Sequence, residues 1–311
     1  MNKSIKIIYI AGCGRSGSTV LDIVLGNHSE IVSVGELSNV CRVWDSNTEY
    51  CSCGSIARSC KFWGSVKEKW LISMISICNV DEWKILQNKF ERTRYIYNMY
   101  GGKWRTTKGF NLYALGLKAI YEAISDVSGK RFIVDSSKNA LRAMALDHID
   151  GVDLKLIHLV RDGRGVACSY RKHYKKDIVN GVQHDISGTP VWRSAFSWVI
   201  SNYLAGQAVK QLGNKNSLCI RYEDFVCLTN DVLMQIGGII GLSFENVIDA
   251  VKRGDELYVR HKISGNRVRM QKNISLKLNN EWIEILTDKD KKIFWMIAGK
   301  TAMRFGYKKN I

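Results

Sequence analysis

Proline is almost absent from this chain: Pro190 is the only one in 311 residues. There is no low-complexity tract and no internal repeat, so the length is expected to form one large domain or two small ones. The sequence has no run of eighteen apolar residues, which argues against a membrane-spanning helix. The cysteine count, nine, is odd, and Cys78, Cys168 and Cys219 sit in apolar company. Both facts fit reduced thiols in the cytoplasm better than a disulfide framework. Acidic residues are in deficit, 29 Asp+Glu against 46 Lys+Arg, giving a formal net charge of +17 and a pI near 9.5. Such an excess suits an anionic partner: a nucleotide, a sulfated or phosphorylated glycan, a nucleic acid or an acidic membrane. It equally describes a solvated, lysine-rich surface. The hydrophobic content of 46% supplies ample core.

What the chain does have begins at its N-terminus. The opening MNKSIKIIYIAG has the outline of a signal peptide, but its apolar run is short and feeds straight into a glycine-rich turn. A buried first strand is the expectation. The turn is Gly12-Cys13-Gly14-Arg15-Ser16-Gly17-Ser18-Thr19, and Val20, Leu21, Val24 and Leu25 then form a helical stripe. Strand, glycine turn and helix together make a phosphate cradle. The glycines allow close backbone approach, and the N–H groups at the helix start face an anion. Arg15 adds a fork of donors matched to phosphate or sulfate oxygens, and Ser18 and Thr19 add hydroxyls.

Residues 31–34 are a short apolar run ending in Gly35-Glu36, an acid at the C-terminal end of an expected strand, where open α/β sheets bind ligands. Residues 41–110 change character and predict a helical insertion or lid, with Trp44, Trp63, Trp70, Trp83 and Trp104 spread through it. Helical spacing through Trp83, Leu86, Phe90, Ile96 and Met99 stops at Gly101-Gly102, and another helix is expected over residues 112–125. Cys41, Cys51, Cys53 and Cys60 allow metal binding, but the spacing is not that of a standard zinc finger, and a structural thiol cluster or disulfide is the competing reading. Residues 131–135 form a strand candidate ending in Ser136-Ser137-Lys138-Asn139, and residues 154–160 another ending in Arg161-Asp162-Gly163-Arg164-Gly165. Basic or polar turns thus recur at Arg15, Lys138 and Arg161, which suggests one crevice for an anionic ligand.

Residues 172–185 read as a mobile surface loop. Pro190 opens a helix whose Trp192, Phe196, Val199 and Tyr203 are assigned to the core. Residues 217–221 read as a strand and 230–242 as a helix. The basic segment 260–272 reads as a loop whose charge would suit closure over a phosphate, and residues 286–305 as a last amphipathic helix.

The phosphate cradle admits several owners. A P-loop NTPase needs Lys where Ser18 stands, and its acidic strand end has only Asp135 as a candidate. Gly12-x-Gly14-x-x-Gly17 satisfies a dinucleotide fingerprint, yet that scheme leaves Arg15 and Arg161 without a use. A nucleotide kinase or NTPase, or a non-catalytic nucleotide-binding protein, are therefore the weaker alternatives.

The segments GCGRSGSTVLDIVLGNHSEIVSVGE, FIVDSSKNALRAMAL, LKLIHLVRDGRGVACSY, IRYEDF and HKISGNRVR occur in that order along the chain. Together they resemble the bacterial sulfotransferase family, related to carbohydrate and tyrosylprotein sulfotransferases. The Cys51-Ser52-Cys53-Gly54 to Cys60-Lys61-Phe62-Trp63 segment resembles a feature of many bacterial members. The resemblance implies a single sulfotransferase domain over 1–311, with a P-loop-like three-layer α/β fold: a central parallel sheet flanked by helices. It implies 3′-phosphoadenosine 5′-phosphosulfate (PAPS) as co-substrate, with no metal required. Gly14, Arg15, Ser16, Gly17, Ser18 and Thr19 would hold its 5′-phosphosulfate, and Arg161 and Ser169 its 3′-phosphate. Tyr222 would line the nucleotide pocket, and Gly265, Asn266 and Arg267 would close over it.

For the chemistry, Glu36 is the expected base, standing where the tyrosylprotein and glycan enzymes carry their acid, and it ranks above His28. Lys138 and Arg15 would neutralise charge on the sulfate and leaving oxygen, with Ser136 or Ser137 assisting. The expected acceptor is a saccharide hydroxyl, free or on a glycolipid, with the tryptophans of 41–110 as one form of sugar platform. A peptide tyrosine, a lipid or a small phenol are the alternatives. No nucleic-acid module is evident, and peripheral membrane contact fits the basic charge.

Overall fold

The computed structural model describes residues 4–92, 106–177, 182–271, 274 and 276–309. Its centre is the strand Ile5–Gly12 (β1), which is apolar at nearly every position because both of its faces are covered. Ile5, Ile7, Tyr9 and Ala11 point into one core, while Ile8 and Ile10 point into the other. This is the period of two expected of a strand. β1 pairs in parallel with Phe132–Lys138 (β3) on one side and Val152–Val160 (β4) on the other. Ile31–Gly35 (β2) and Ser217–Arg221 (β5) complete a parallel five-stranded sheet in the order β2-β3-β1-β4-β5.

Helices cover both faces, so the three-layer α/β expectation holds. On one face lie Ser18–Gly26 (α1) and, beside β5, the later helices Thr229–Ile240 and Glu245–Arg253. On the other lie Lys108–Ser128 and Val191–Leu212, together with the helices Val40–Asp45, Lys61–Met74 and Val80–Glu91. Among the described residues no helix is long and apolar enough to cross a membrane.

The helices of 40–91 share a core with the sheet rather than standing apart from it. Trp44, Trp63, Trp70 and Trp83 are all buried, which corrects the sugar-platform expectation. Their apolar area is spent on packing, and the polar edges of three find carbonyls: Trp63 with His261, Trp70 with Gly116 and Trp83 with Tyr113. Gly116 allows the last approach, since a Cβ there would lie 2.2 Å from the Trp83 Nε1. Trp104, Ile96, Met99 and Gly101-Gly102 lie outside the described residues. Glu91, at the end of Val80–Glu91, ties this region to β3 through buried polar contacts. It accepts from Arg142 (2.6 Å) and the Tyr113 hydroxyl (2.7 Å), and Arg142 also faces Asp135 at 3.5 Å.

Other expectations need correction. β3 runs on through Ser136 and Ser137 to Lys138 instead of stopping at Asp135. Along Val191–Leu212 the helix is present, but Trp192, Phe196 and Tyr203 are 54%, 52% and 54% exposed. The buried stripe is Val191, Ala195, Trp198, Asn202, Ala205 and Ala208. The stripe carries small residues at Ala195, Ala205 and Ala208 together with the fully buried Trp198, whose indole donates to the Arg161 carbonyl at 3.0 Å. The described residues of 172–185 are held by bridges Tyr174↔Ile186 and Asp177↔Val182, and the buried Gln183 donates to the Tyr50 carbonyl, while 178–181 lie outside the described residues. Cys219 is exposed on the edge strand β5, its thiol 3.7 Å from the His158 Nδ1.

Candidate active site

The C-terminal ends of β1, β2, β3 and β4 open into one crevice. Gly17 caps α1 in a left-handed conformation (φ 88°), so the first N–H groups of that helix are left for an external acceptor. A Cβ at Gly17 would lie 2.3 Å from the Tyr222 ring, and one at Gly14 2.3 Å from the Tyr170 hydroxyl. Close approach calls for glycine at both positions, and at Gly17 the left-handed turn calls for it as well. Ser18 and Thr19 open α1 at the crevice wall.

Among the described residues, three non-glycine residues have positive φ: Arg15 (67°), Lys138 (67°) and Ser264 (54°). All three line this region. Such conformations cost about 1–3 kcal/mol each and persist where surrounding contacts hold them. Arg15 is held by Arg161, whose Nη1 donates to the Arg15 carbonyl at 3.1 Å, so two of the basic junctions are joined directly. The Arg15 guanidinium lies over the Tyr170 ring at 5.7 Å and makes no ion pair among the described residues. Arg161 itself lies over the Tyr222 ring at 4.8 Å.

Glu36 follows β2 and is ion-paired to the Lys138 ammonium, which also donates to the Ser136 carbonyl at 3.1 Å. Asn39 donates to the other Glu36 oxygen at 3.3 Å. The carboxylate and ammonium are largely buried but reach the crevice, at 20% and 17% exposure.

The segment 260–271 forms the far wall. Ile263 exchanges backbone hydrogen bonds with β2, its N–H to the Val34 carbonyl (3.1 Å) and its carbonyl accepting from Glu36 (3.0 Å). The Asn266 N–H then donates to the Thr19 hydroxyl at 3.3 Å, so the segment touches the start of α1. Gly265 (φ 95°) is needed there, since a Cβ would sit 3.3 Å from the Glu36 Oε1 and 3.4 Å from the Thr19 Oγ1. This is no solvated loop: Lys262 and Arg269 are buried. Lys262 pairs with the fully buried Asp22 of α1 at 3.1 Å, and Asp22 also accepts from Ser33 (2.5 Å) and Ser136 (2.9 Å). Burial pushes the Lys262 amine down to about 8, partly offset by Asp22.

Two confluent cavities result. One, of about 400 Å³, is lined by Gly14, Arg15, Gly17, Ser18, Thr19, Lys138, Arg161, Ser169, Tyr222, Gly265 and Asn266. The other, of about 330 Å³, is lined by Asn39, Arg42, Glu49, Tyr174, Gln183, His184 and Arg267. Arg15, Glu36, Ser169, Gly265, Asn266 and Val268 border both.

Most of the sequence-derived site is thereby assembled. The exceptions are instructive. The Ser16 side chain is buried with no partner and does not line the crevice. Arg267 lies over Tyr174 at 4.9 Å, on the second cavity rather than the first. Ser136 and Ser137 turn inward, to Asp22 and Asp135. Asp135, the lone candidate for an NTPase acid, is fully buried against Tyr121 and Arg142, and burial raises its carboxyl despite that arginine. His28 packs on Phe244 and reaches the Ser243 carbonyl, away from the crevice. Sequence reasoning missed Arg42, Glu49 and His184. Glu49 accepts from Arg42 and, at 2.9 Å, from His184; burial raises its carboxyl, but these two donors outweigh that and hold it below its ordinary value. Arg42 and Glu49 are seven residues apart but His184 lies 135 residues beyond Glu49, and no local motif joins them.

Comparisons with known proteins accord with this geometry. Among curated proteins none matches the chain in sequence. Among solved structures, the sulfotransferase domain of the Synechococcus PCC 7002 olefin synthase is similar at 18% identity, covering 99% of this chain and 97% of that one, with a TM-score of 0.50. The sulfotransferase domain from the curacin biosynthetic pathway is similar at 15% identity, covering 98% and 99%, also with a TM-score of 0.50. These likenesses speak for the fold. The family model described as "Sulfotransferase family" matches residues 8–246. The chain therefore belongs to the sulfotransferase family, the enzymes that transfer a sulfuryl group from PAPS.

Proposed function

We propose that this chain transfers the sulfuryl group of PAPS to a hydroxyl of a saccharide or glycolipid, releasing 3′,5′-ADP. One observation carries the reading: Glu36 and Arg15 stand on the wall shared by two cavities, one built for anions and one for a polar ligand. Donor on one side and acceptor on the other would meet there in line.

In this reading the N-terminal turn of α1, with Ser18 and Thr19, holds the 5′-phosphosulfate, and Arg161 with Ser169 holds the 3′-phosphate. Gly265 and Asn266 close the cavity over the nucleotide. Glu36 takes the proton of the attacking hydroxyl. Arg15, free of ion pairs among the described residues, and Lys138, already beside Glu36, balance charge on the equatorial and bridging oxygens of the transferring group. Sulfuryl transfer needs little covalent help from the protein, so positioning and fixed charge are the main contributions.

The second cavity supports a saccharide over a flat phenol. Its walls carry Asn39, Arg42, Glu49, Gln183 and His184, groups that hydrogen-bond to hydroxyls and anionic substituents, beside Tyr174, Val182 and Ile186, against which the apolar face of a sugar can pack. A cytoplasmic location fits the nine free cysteines.

The test is Glu36→Gln. Turnover with labelled PAPS and a saccharide acceptor panel is expected to fall by about 10²–10⁴-fold, while 3′,5′-ADP binding is retained. Unchanged turnover would remove Glu36 from the role.

A further inference from the structure

The thiols of Cys51, Cys53 and Cys60 converge on a residue two hundred positions away. Their Sγ atoms and the Nδ1 of His261 all lie within 4.8 Å of one another. We propose that these four side chains bind one Zn²⁺ ion, a structural metal site that clips the segment 260–271 to the Cys51–Cys60 turn.

Three lines of geometry carry this. The first is the spacing. A tetrahedral zinc with S at about 2.3 Å and N at about 2.0–2.1 Å requires S···S edges of about 3.8 Å and S···N edges of about 3.5 Å. The Cys53–Cys60 sulfurs are 3.7 Å apart, and Nδ1 of His261 lies 3.3 Å from Cys60 and 3.9 Å from Cys51. Ligand atoms this close would not wrap a multi-iron cluster, and a three-thiolate, one-imidazole set is soft enough to select zinc.

The second line is the surroundings of the ligands. The cysteines lie on a closed loop, in which the Cys51 N–H donates to the Ser55 carbonyl at 3.0 Å and the Ala57 N–H to the Glu49 carbonyl at 2.8 Å. The tight turn that permits it uses Gly54 at φ 89°, whose N–H returns to the Cys51 carbonyl at 2.9 Å.

The third line is the orientation of the imidazole. Phe62 stacks on the His261 ring (5.0 Å, 6°), and the Trp63 indole donates to the His261 carbonyl at 2.9 Å. Ser52 N–H donates to the Lys262 carbonyl at 3.0 Å, so the two segments also run together in backbone. Cys41 lies in the core outside this cluster, and His261 takes the fourth place that the sequence alone offered to it.

The ion would be bound at His261, three residues before Ser264 of the crevice wall. Its role is to hold that wall, and the site does not depend on which acceptor is used.

The experiment is metal analysis by inductively coupled plasma mass spectrometry on the full chain, purified without a histidine tag or chelator. About one zinc per chain is expected. Cys53→Ser, at an exposed position, and His261→Ala are each expected to lower bound zinc at least about tenfold, with Cys41→Ser retaining it. Replacement by Co²⁺ should give thiolate-to-cobalt charge-transfer bands and tetrahedral d–d bands that Cys53→Ser abolishes. The proposal is overturned if the wild-type chain carries no metal and takes up none from added zinc, or if a Cys53–Cys60 disulfide is found by mass spectrometry. It is equally overturned if both variants keep the metal. The wild-type measurement decides even where a variant does not fold.

Discussion

Two walls of the crevice are built in opposite ways. The wall at β1 and α1 is local: Gly12 to Thr19 are consecutive, and a few glycines with one left-handed arginine generate the whole cradle. The wall at 260–271 is assembled from afar. It has little regular structure and is held by Ile263 beside β2, Lys262 on Asp22, Asn266 on Thr19 and His261 among three cysteines. A local cradle is specified by steric allowance, so one added methyl group disrupts it. A remote wall is specified by buried polar ties, so it weakens one tie at a time and shows its losses as stability.

That contrast orders the expected effects. Gly17→Val should be the most damaging to binding, because it combines a β-branched residue at φ 88° with a Cβ 2.3 Å from Tyr222. About 3 kcal/mol of strain or displaced contact corresponds to about a 100-fold loss of 3′,5′-ADP affinity by isothermal titration. Retained affinity would mean that the cradle is not the donor site.

Lys262→Met should act on stability instead. It leaves the buried Asp22 carboxylate with hydroxyl donors alone, and removing one partner of such a pair costs about 3–5 kcal/mol in urea unfolding. The same lysine gives a pH signature. Its folded value of about 8 lies below its ordinary 10.5, so the folded chain binds fewer protons between those limits. Its contribution to stability therefore rises as pH increases through that window. Lys262→Met should lack that rise; an identical pH slope in both proteins would exclude Lys262 as its source.

The smallest effect is expected far from either wall. Trp192→Gln with Phe196→Gln replaces two exposed side chains on Val191–Leu212 and should shift the unfolding free energy by no more than about 0.5 kcal/mol per site. A loss above about 2 kcal/mol would show that this face is covered in solution.

The same contrast explains what the sequence made legible. The strands of the sheet announce themselves because fully buried parallel strands are continuous apolar runs, and the glycine turn follows directly from one of them. Helical period, by comparison, states that Val191–Leu212 is a helix but not which face is inward. Two stripes share the same spacing there, and the buried one runs through Ala195, Trp198, Asn202 and Ala205 while Trp192, Phe196 and Tyr203 face outward. The tryptophans of 41–110 suggested a platform, yet the indole N–H groups of Trp63, Trp70 and Trp83 find carbonyls inside the core. The fourth partner of the cysteines escaped local pattern reading altogether, since His261 is 201 residues beyond Cys60 and is delivered by the path of the chain beside β2.

The central claim is that the crevice recognises a nucleotide with phosphate groups at both ends, and Arg161 tests it most directly. Titration calorimetry of the wild-type chain and Arg161→Ala against 3′,5′-ADP and 5′-AMP separates the two phosphates. The account predicts that wild type binds 3′,5′-ADP more tightly than 5′-AMP. Arg161→Ala should weaken 3′,5′-ADP by about 10–100-fold, the loss of a hydrogen bond to a charged group of about 1.5–3 kcal/mol, and weaken 5′-AMP by clearly less, through the lost hold on Arg15 alone. Equal wild-type affinity for the two nucleotides, or an equal loss for both in the variant, would contradict it.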